Sequence, residues 1–247
     1  MLNRFSRTEL LLGEKNMSKL AQSKIAIFGI GGVGSYVAEG LARCGIGEFI
    51  LIDSDDISLT NINRQIHALE TTIGQKKTLM MKERILAINP QAKVTTIEKL
   101  YTPESNFFNW DDDYTYIVDA VDDVKAKINL IVNANKHNLP IMSSMGTANK
   151  LDPQKFVITD IYKTHTCPLA RIMRKTLKQQ GIKKLKVLYS TEEPFTNYTV
   201  NFKENTSKDN SPASTRKQPL GSISFVPPIA GLMIAGEIVK DICQINR

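Results

Sequence analysis

Apolar positions along the chain come in short runs separated by longer stretches of helical periodicity. After Lys24, residues 25–28 (IAIF) are apolar without interruption, the pattern of a parallel strand buried on both faces. A glycine-rich turn follows, carrying Gly29, Gly31, Gly32 and Gly34. A helix then runs to about Arg43 and closes near Gly45 and Gly47, as helix C-termini do. FILID, residues 49–53, reads as a second strand. Residues 75–88 repeat their apolar positions at helical spacing and stop at Asn89-Pro90. KVTTIE is a third strand, YTYIVDAVDD holds a fourth that ends in acid, residues 124–138 are helical, and LPIMSS is a fifth strand. Strand and helix in alternation predict an α/β fold with a doubly wound, mostly parallel sheet and right-handed crossovers.

The pattern changes after about residue 150. FVITDIY reads as a strand, LARIMRKTLKQ as an amphipathic helix and KLKVLYS as another strand. Residues 192–219 are polar and rich in Lys, Asn, Ser and Pro, which predicts a mobile loop. VPPIAGLMIAGEIVKDI closes the chain as an apolar helix, with Pro228 suited to its first turn. One domain spanning 1–247 accounts for this most simply. Residues 1–150 would form its nucleotide half, and 151–247 a specialised C-terminal half continuing the same domain.

Composition narrows the class. Among 247 residues 42% are hydrophobic, ordinary for a globular protein, and no apolar run reaches the roughly 18–20 residues that span a bilayer. The first residues, MLNRFSRTEL, lack a signal-peptide core. Three scattered cysteines (Cys44, Cys167 and Cys243) make no disulfide framework. A cytoplasmic setting with no membrane partner is the expectation. The net charge of +7 and the pI near 9.2 favour a polyanionic partner, nucleic acid or an acidic protein.

Candidate chemistry begins at the glycine turn. The spacing G-x-G-G-x-G lets phosphate approach a helix N-terminus, where free N–H groups and the helix dipole favour anions. Asp53 ends the next strand, where a carboxylate can take ribose hydroxyls, and Asp55 follows it in LIDSDD. A Rossmann-like nucleotide site is the reading, with an adenine nucleotide as its ligand. The cluster TNINRQ (60–65) adds a planar cation, Arg64, suited to phosphate oxygens. A diphosphate at a helix N-terminus needs no second strong cation, whereas a triphosphate being cleaved does. Lys77 in GQKK supplies another cation, and Asp122 and Asp123 close the fourth strand at the same sheet edge, where an Asp suits Mg²⁺. Each residue also has a plainer reading: Arg64 as a surface ion-pair partner, Lys77 as a solvated charge, Asp122 as a helix cap. Their convergence on successive strand ends points to ATP cleavage.

The set GIGGVGS, LIDSDD, TNINRQ, GQKK and VDAVDD resembles the ubiquitin-activating-enzyme-like adenylating superfamily, which includes the molybdopterin and thiamine sulfur-carrier activators (ThiF, MoeB and HesA among them). The resemblance implies ATP and Mg²⁺ as cofactors. It implies Asp53 on the ribose, with Asn61, Arg64 and Lys77 around the phosphates and Asp122 on the metal. RFSRTELL resembles the family's opening segment. It implies that Arg7 reaches the ATP of a neighbouring subunit in a homodimer; a frayed, solvated terminus is the alternative. The shared chemistry is adenylation of a carboxylate, which turns oxide, a poor leaving group, into AMP.

Carrier-protein activators of the superfamily usually carry two CxxC pairs for structural zinc, and this sequence has none. Thioester-forming members need a cysteine in the crossover loop, and 192–219 contains none. Cys44 and Cys243 read as packing residues. Cys167 in THTCPLAR is the one candidate thiol, with His165 nearby. The second half resembles a narrower group, the tRNA threonylcarbamoyladenosine dehydratases, through RQIHAL, VITDIYKT, CPLARIMRK, VLYSTEEP and LGSISFVPPIAGLMIAGEIVKD. Members of that group often have an acidic residue where Cys167 stands. The implied substrate is tRNA bearing a modified adenosine beside the anticodon, whose threonyl carboxylate is adenylated and then attacked by the carbamoyl oxygen of the same group. No protein thiol is required.

Charge placement agrees with an RNA substrate. From Arg171 to Lys186 there are seven basic residues and no acidic one. Arg171, Arg174, Lys175 and Lys178 share one face of a helical wheel, opposite Leu169, Ile172, Met173 and Leu177. Lys183, Lys184, Lys186, Arg216 and Lys217 would extend this ridge; a solvated helix face is the alternative. Two other functions stay open: adenylation of a ubiquitin-like sulfur-carrier protein, and a nicotinamide-dependent oxidoreductase resting on the glycine turn and Asp53 alone. A sulfur-transfer protein is a candidate partner, and His67 and His165 are the candidates for a cyclisation base.

Overall fold

The computed structural model describes residues 2–195 and 220–245. In chain order the described helices are α1 (Ser6–Leu12), α2 (Glu14–Ala21), α3 (Gly34–Arg43), α4 (Lys77–Ile88), α5 (Val124–Lys136), α6 (Pro168–Gln179) and α7 (Val226–Cys243). The strands are β1 (Lys24–Phe28), β2 (Glu48–Ile52), β3 (Lys93–Ile97), β4 (Tyr116–Asp119), β5 (Ile141–Ser144), β6 (Phe156–Asp160) and β7 (Lys186–Ser190). They form one sheet in the order β3-β2-β1-β4-β5-β7-β6. All neighbours pair in parallel except β6, which runs antiparallel to β7 at the edge. The doubly wound α/β expectation holds, and strands from the second half extend the sheet of the first.

β1 has no solvent face, and its side chains alternate between two cores. Ile25 and Ile27 pack beneath α3, α4 and α7. Ala26 and Phe28 face the opposite side, against α5 and the segment 101–114. In that segment Tyr101 and Phe108 meet the Phe28 ring edge-on at 5.0 and 4.9 Å. This aromatic cover lies in a stretch to which the sequence pattern assigned no element. α7 packs along α3 closely enough that a Cβ on Gly40 would come within 2.9 Å of the Ala235 Cβ. A third core joins α5, α6 and β7.

Several boundaries differ from expectation. FVITDIY is not one strand: β6 stops at Asp160, whose carboxylate accepts from the Tyr162 amide at 2.8 Å and caps a 3₁₀ turn over Ile161–Lys163. α4 begins at Lys77, not residue 75, because Asp56 and Lys76 form a short antiparallel bridge. The opening segment is two ordered helices and not a frayed terminus. Of the expected loop 192–219, only Glu192–Phe195 fall among the described residues. No described helix is long and apolar enough to cross a membrane.

Candidate active site

The order of strands reverses between β1 and β4, and ligands of open α/β sheets bind at the strand C-termini beside such a point. The glycine turn sits there. Gly29 has φ of +87°, and a Cβ on it would stand 2.6 Å from the Ala120 carbonyl oxygen, so only glycine fits. Gly31 and Gly32 lie at the crest of the turn, and Gly34 opens α3. Asp53 braces the turn: one carboxylate oxygen accepts from the Ile30 amide at 2.7 Å, the other from the Asp55 amide at 2.9 Å. Burial pushes the Asp53 carboxyl above its usual range, and the nearby Lys77 charge opposes that shift.

TNINRQ forms the wall facing this turn. Asn61 is buried, and its side-chain oxygen accepts from the Ser58 amide at 3.1 Å. It is therefore a brace of its own turn first. The Arg64 stem lies over Gly32, where an added Cβ would meet its Cγ at 3.2 Å and its Cδ at 3.3 Å. The guanidinium donates through Nη1 to the Thr60 carbonyl at 2.9 Å and the Asn63 side-chain oxygen at 2.8 Å, and its other N–H groups have no hydrogen-bond partner among the described residues. Gln65, which carried no role in the sequence reading, is buried and is the side chain nearest to Gly31.

Both lysines of GQKK are paired. Lys77 Nζ is 2.6 Å from Asp55 Oδ2, and Lys76 Nζ is 2.7 Å from Asp56 Oδ1. Lys77 is buried while its partner Asp55 is 62% exposed, so its plain reading as a solvated charge is excluded. Asp122 is exposed and has no hydrogen-bond or ion-pair partner among the described residues. The cap of α5 is its neighbour Asp123, which accepts from the Ala126 amide at 2.8 Å. Capping therefore does not explain Asp122.

Arg7 stands apart from these groups. It is exposed on α1, and the neighbouring Phe5 ring lies near Gly45 beyond the far end of α3. α3 is ten residues long, about 15 Å, so the Phe5 ring and the glycine turn lie at opposite ends of it.

α6 starts at the same sheet edge, since His165 lies 5.6 Å from the Tyr189 ring near the end of β7. Its basic face is narrower than expected. Arg174 is half-buried, and its Nη1 donates to the Thr164 carbonyl at 2.9 Å and to the Thr164 hydroxyl. The exposed ridge is Arg171, Lys175 and Lys178. Ile172 is 50% exposed and lies outside the inner face, which is Ala170, Met173 and Leu177. Lys186 does not extend the ridge, because it pairs with Glu237 and Asp241 at 3.0 and 2.7 Å. Lys183 and Lys184 are exposed, and Arg216 and Lys217 lie outside the described residues.

Cys167 is buried as the N-cap of α6, its sulfur accepting from the Ala170 amide at 3.5 Å. Cys44 ends α3 and Cys243 is buried in α7; burial pushes both thiols up. His67 is buried with neither ring nitrogen hydrogen-bonded among the described residues. Burial, then the Lys77 and Arg84 charges, lowers its pKa to about 4. Both ring nitrogens are shielded from solvent. Two further residues were missed. Glu192 is buried and accepts from the Leu151 and Asp152 amides at 2.9 and 3.0 Å, and Lys150 donates to the Glu192 carbonyl at 2.5 Å.

The sequence profile described as the ThiF family matches residues 5–247. The chain is 43% identical to the tRNA threonylcarbamoyladenosine dehydratase of Bacillus subtilis (strain 168), covering 99% of this chain and 96% of that protein. It is 42% identical over 175 residues to the protein of the same name from Escherichia coli (strain K12), covering 71% of this chain and 65% of that one. The crystal structure of the E. coli tRNA N6-threonylcarbamoyladenosine dehydratase in complex with ATP superposes with a TM-score of 0.82 at 32% identity, covering 98% of this chain and 94% of that one.

Proposed function

We propose, from the premise that the chain belongs to the ThiF family, that it is an ATP-dependent cyclase (dehydratase) of threonylcarbamoyladenosine at position 37 of tRNA. It works as one adenylation domain over residues 1–247. The observation that carries this reading is the Arg64 stem seated on Gly32, which fixes a cation beside the phosphate turn. A hydride-transfer site has no use for a cation there, and pyrophosphate departure does.

In this reading the nucleotide phosphates lie at the N-terminus of α3 and the ribose hydroxyls reach the remaining lone pairs of Asp53. The substrate's threonyl carboxylate attacks the α-phosphorus, and pyrophosphate leaves past Arg64 and Lys77. Asp55 hands Lys77 over to the triphosphate, because an exposed carboxylate gives up an ion pair cheaply. The carbamoyl oxygen then attacks the acyl carbon, AMP departs with one carboxylate oxygen, and the ureido nitrogen loses its proton. The substrate has lost the elements of water, and the nucleophile is its own. A buried, helix-capping Cys167 agrees with that economy.

Mg²⁺ suits the donor set. Asp122 offers one hard, solvent-facing carboxylate, and among the described residues no group of three His, Cys, Asp or Glu side chains forms a cage. That is the sparse protein ligation typical of magnesium held mainly by phosphates. When bound, it would offset charge on the departing pyrophosphate. Arg171, Lys175 and Lys178 position RNA through its phosphates. Arg7 serves the partner's site in a homodimer, consistent with the Phe5 ring lying at the end of α3 away from the glycine turn and with the exposed Leu10 and Leu11 beside Arg7 on α1. Incubating tRNA carrying the modification with protein, ATP and Mg²⁺ tests the reading by nucleoside mass spectrometry. Loss of one water from the modified adenosine is expected. Its absence, with pyrophosphate exchange stimulated by a ubiquitin-like protein instead, would move the assignment to carrier-protein adenylation.

A further inference from the structure

The turn that carries Asp122 rests on a buried ion pair for which the scheme above has no use. Lys127 and Asp119 are both 0% exposed. Lys127 Nζ donates to Asp119 Oδ1 and to the Val121 carbonyl, each at 3.0 Å. Asp119 also accepts from the Ser143 hydroxyl at 2.5 Å and from the Val121 amide at 3.3 Å. Removing two charges from water is costly, and an apolar pair of the same volume is often as stable or more so. A use other than stability follows from where the bonds end. All but the Ser143 bond lie within Asp119, Val121 and the first two turns of α5. Between them, the Ala120 amide donates to the Phe28 carbonyl at 2.8 Å, and the Ala120 carbonyl closes against Gly29. The same short turn is thus the floor of the glycine turn on one side and the base of Asp122 on the other.

We propose that Lys127 is a positioning residue: through Asp119 and the Val121 carbonyl it fixes the 119–122 turn so that Asp122 faces the phosphates held at the adjoining glycine turn. The proposal rests on the nucleotide reading of the site. Outer groups that orient a metal ligand affect binding of the metal complex while leaving the bare ligand's contacts in place.

Calorimetry of ATP binding with and without Mg²⁺ tests this, alongside thermal unfolding. Lys127→Met combined with Asp119→Leu removes the pair without orphaning a charge. It is expected to melt within a few degrees of the parent and to lose about tenfold of the Mg²⁺-dependent gain in ATP affinity, with Mg²⁺-free affinity within about twofold. Asp122→Asn should lose a similar share, and adding it to the double variant should cost little more, because both act through one carboxylate. Ser143→Ala perturbs Asp119 without touching a charge and is expected to lose about threefold of the gain, which keeps the test decisive if the double variant does not fold. A parental Mg²⁺-dependent gain in a folded double variant, or in Ser143→Ala, overturns the proposal. So does simple addition of the Asp122 effect. A parent that binds no ATP would instead sink the nucleotide reading beneath it.

Discussion

The stem of Arg64 is packed before its charge is used, since its methylenes lie on Gly32 and one nitrogen is tied to the Thr60 carbonyl. Such a side chain loses little freedom when it meets an anion. Arg64→Ala and Lys77→Ala are each expected to cut pyrophosphate release by about a hundredfold or more. Neither should move the unfolding midpoint much, because Arg64 bonds only to its own turn and the partner of Lys77 is largely exposed. Loss of folding with loss of activity would strip both of a role in the chemistry. Cys167 gives a contrasting expectation. As an N-cap it accepts poorly through sulfur, and an aspartate there accepts better. Cys167→Asp should raise stability by about 1 kcal/mol in denaturant unfolding, with the buried Lys150 charge nearby to receive it. Cys167→Ser should keep full cyclisation; an inactive but folded Cys167→Ser would restore the thiol to the mechanism. The placement of Gly29, Asp53 and Arg64 around one turn was legible from the sequence, because it follows from local spacing. Lys127 and Glu192 were not, because a charged residue reads as surface until its partner, brought in by the sheet, is known.

At the scale of elements, α6 separates two jobs that look alike on a helical wheel. Arg171, Lys175 and Lys178 face solvent, whereas Arg174 is folded back onto Thr164. Reversing charge at Arg171 and Lys178 together should weaken tRNA binding and lower the slope of log affinity against log salt by about two, with ATP affinity unchanged. Arg174→Ala should instead cost about 1–3 kcal/mol of stability, since the Thr164 carbonyl loses its donor. If binding falls equally across a salt series, the ridge makes no phosphate contacts. The wheel misplaced Arg174 and Ile172 for a physical reason: periodicity fixes angles around one helix but not which neighbour lies beside it. The same limit hid the aromatic cover at 101–114, whose rings pack without periodic spacing. It also hid the end of β6, decided by the Asp160 cap. Strands buried on both faces, β1 above all, were legible because continuous apolar runs have few other uses.

Over the whole molecule, two long-range consequences can be checked. His67 binds a proton far less readily folded, near pH 4, than unfolded, near 6.5. The unfolded state therefore holds the extra proton between those values. Stability is fully present above about pH 6.5 and declines as pH falls toward 4, by about 3 kcal/mol if His67 acts alone. His67→Phe should flatten that stretch of the stability curve, and an unchanged slope would assign the acid sensitivity elsewhere. The second consequence concerns assembly. The Phe5 ring, two residues before Arg7, lies about the length of α3 from the glycine turn, and the helix that carries Arg7 leaves Leu10 and Leu11 exposed at 84% and 78%. If two copies pair and exchange Arg7, then Arg7→Ala and Arg64→Ala are each inactive alone but complement each other. A mixed dimer has one site with Arg64 from its own chain and Arg7 from the other, and one site with neither. At equal mixing half the dimers are mixed, so about a quarter of parental activity should return after subunit exchange. Subunits acting each on their own would recover nothing, because neither chain carries both arginines, and that outcome would return Arg7 to the surface.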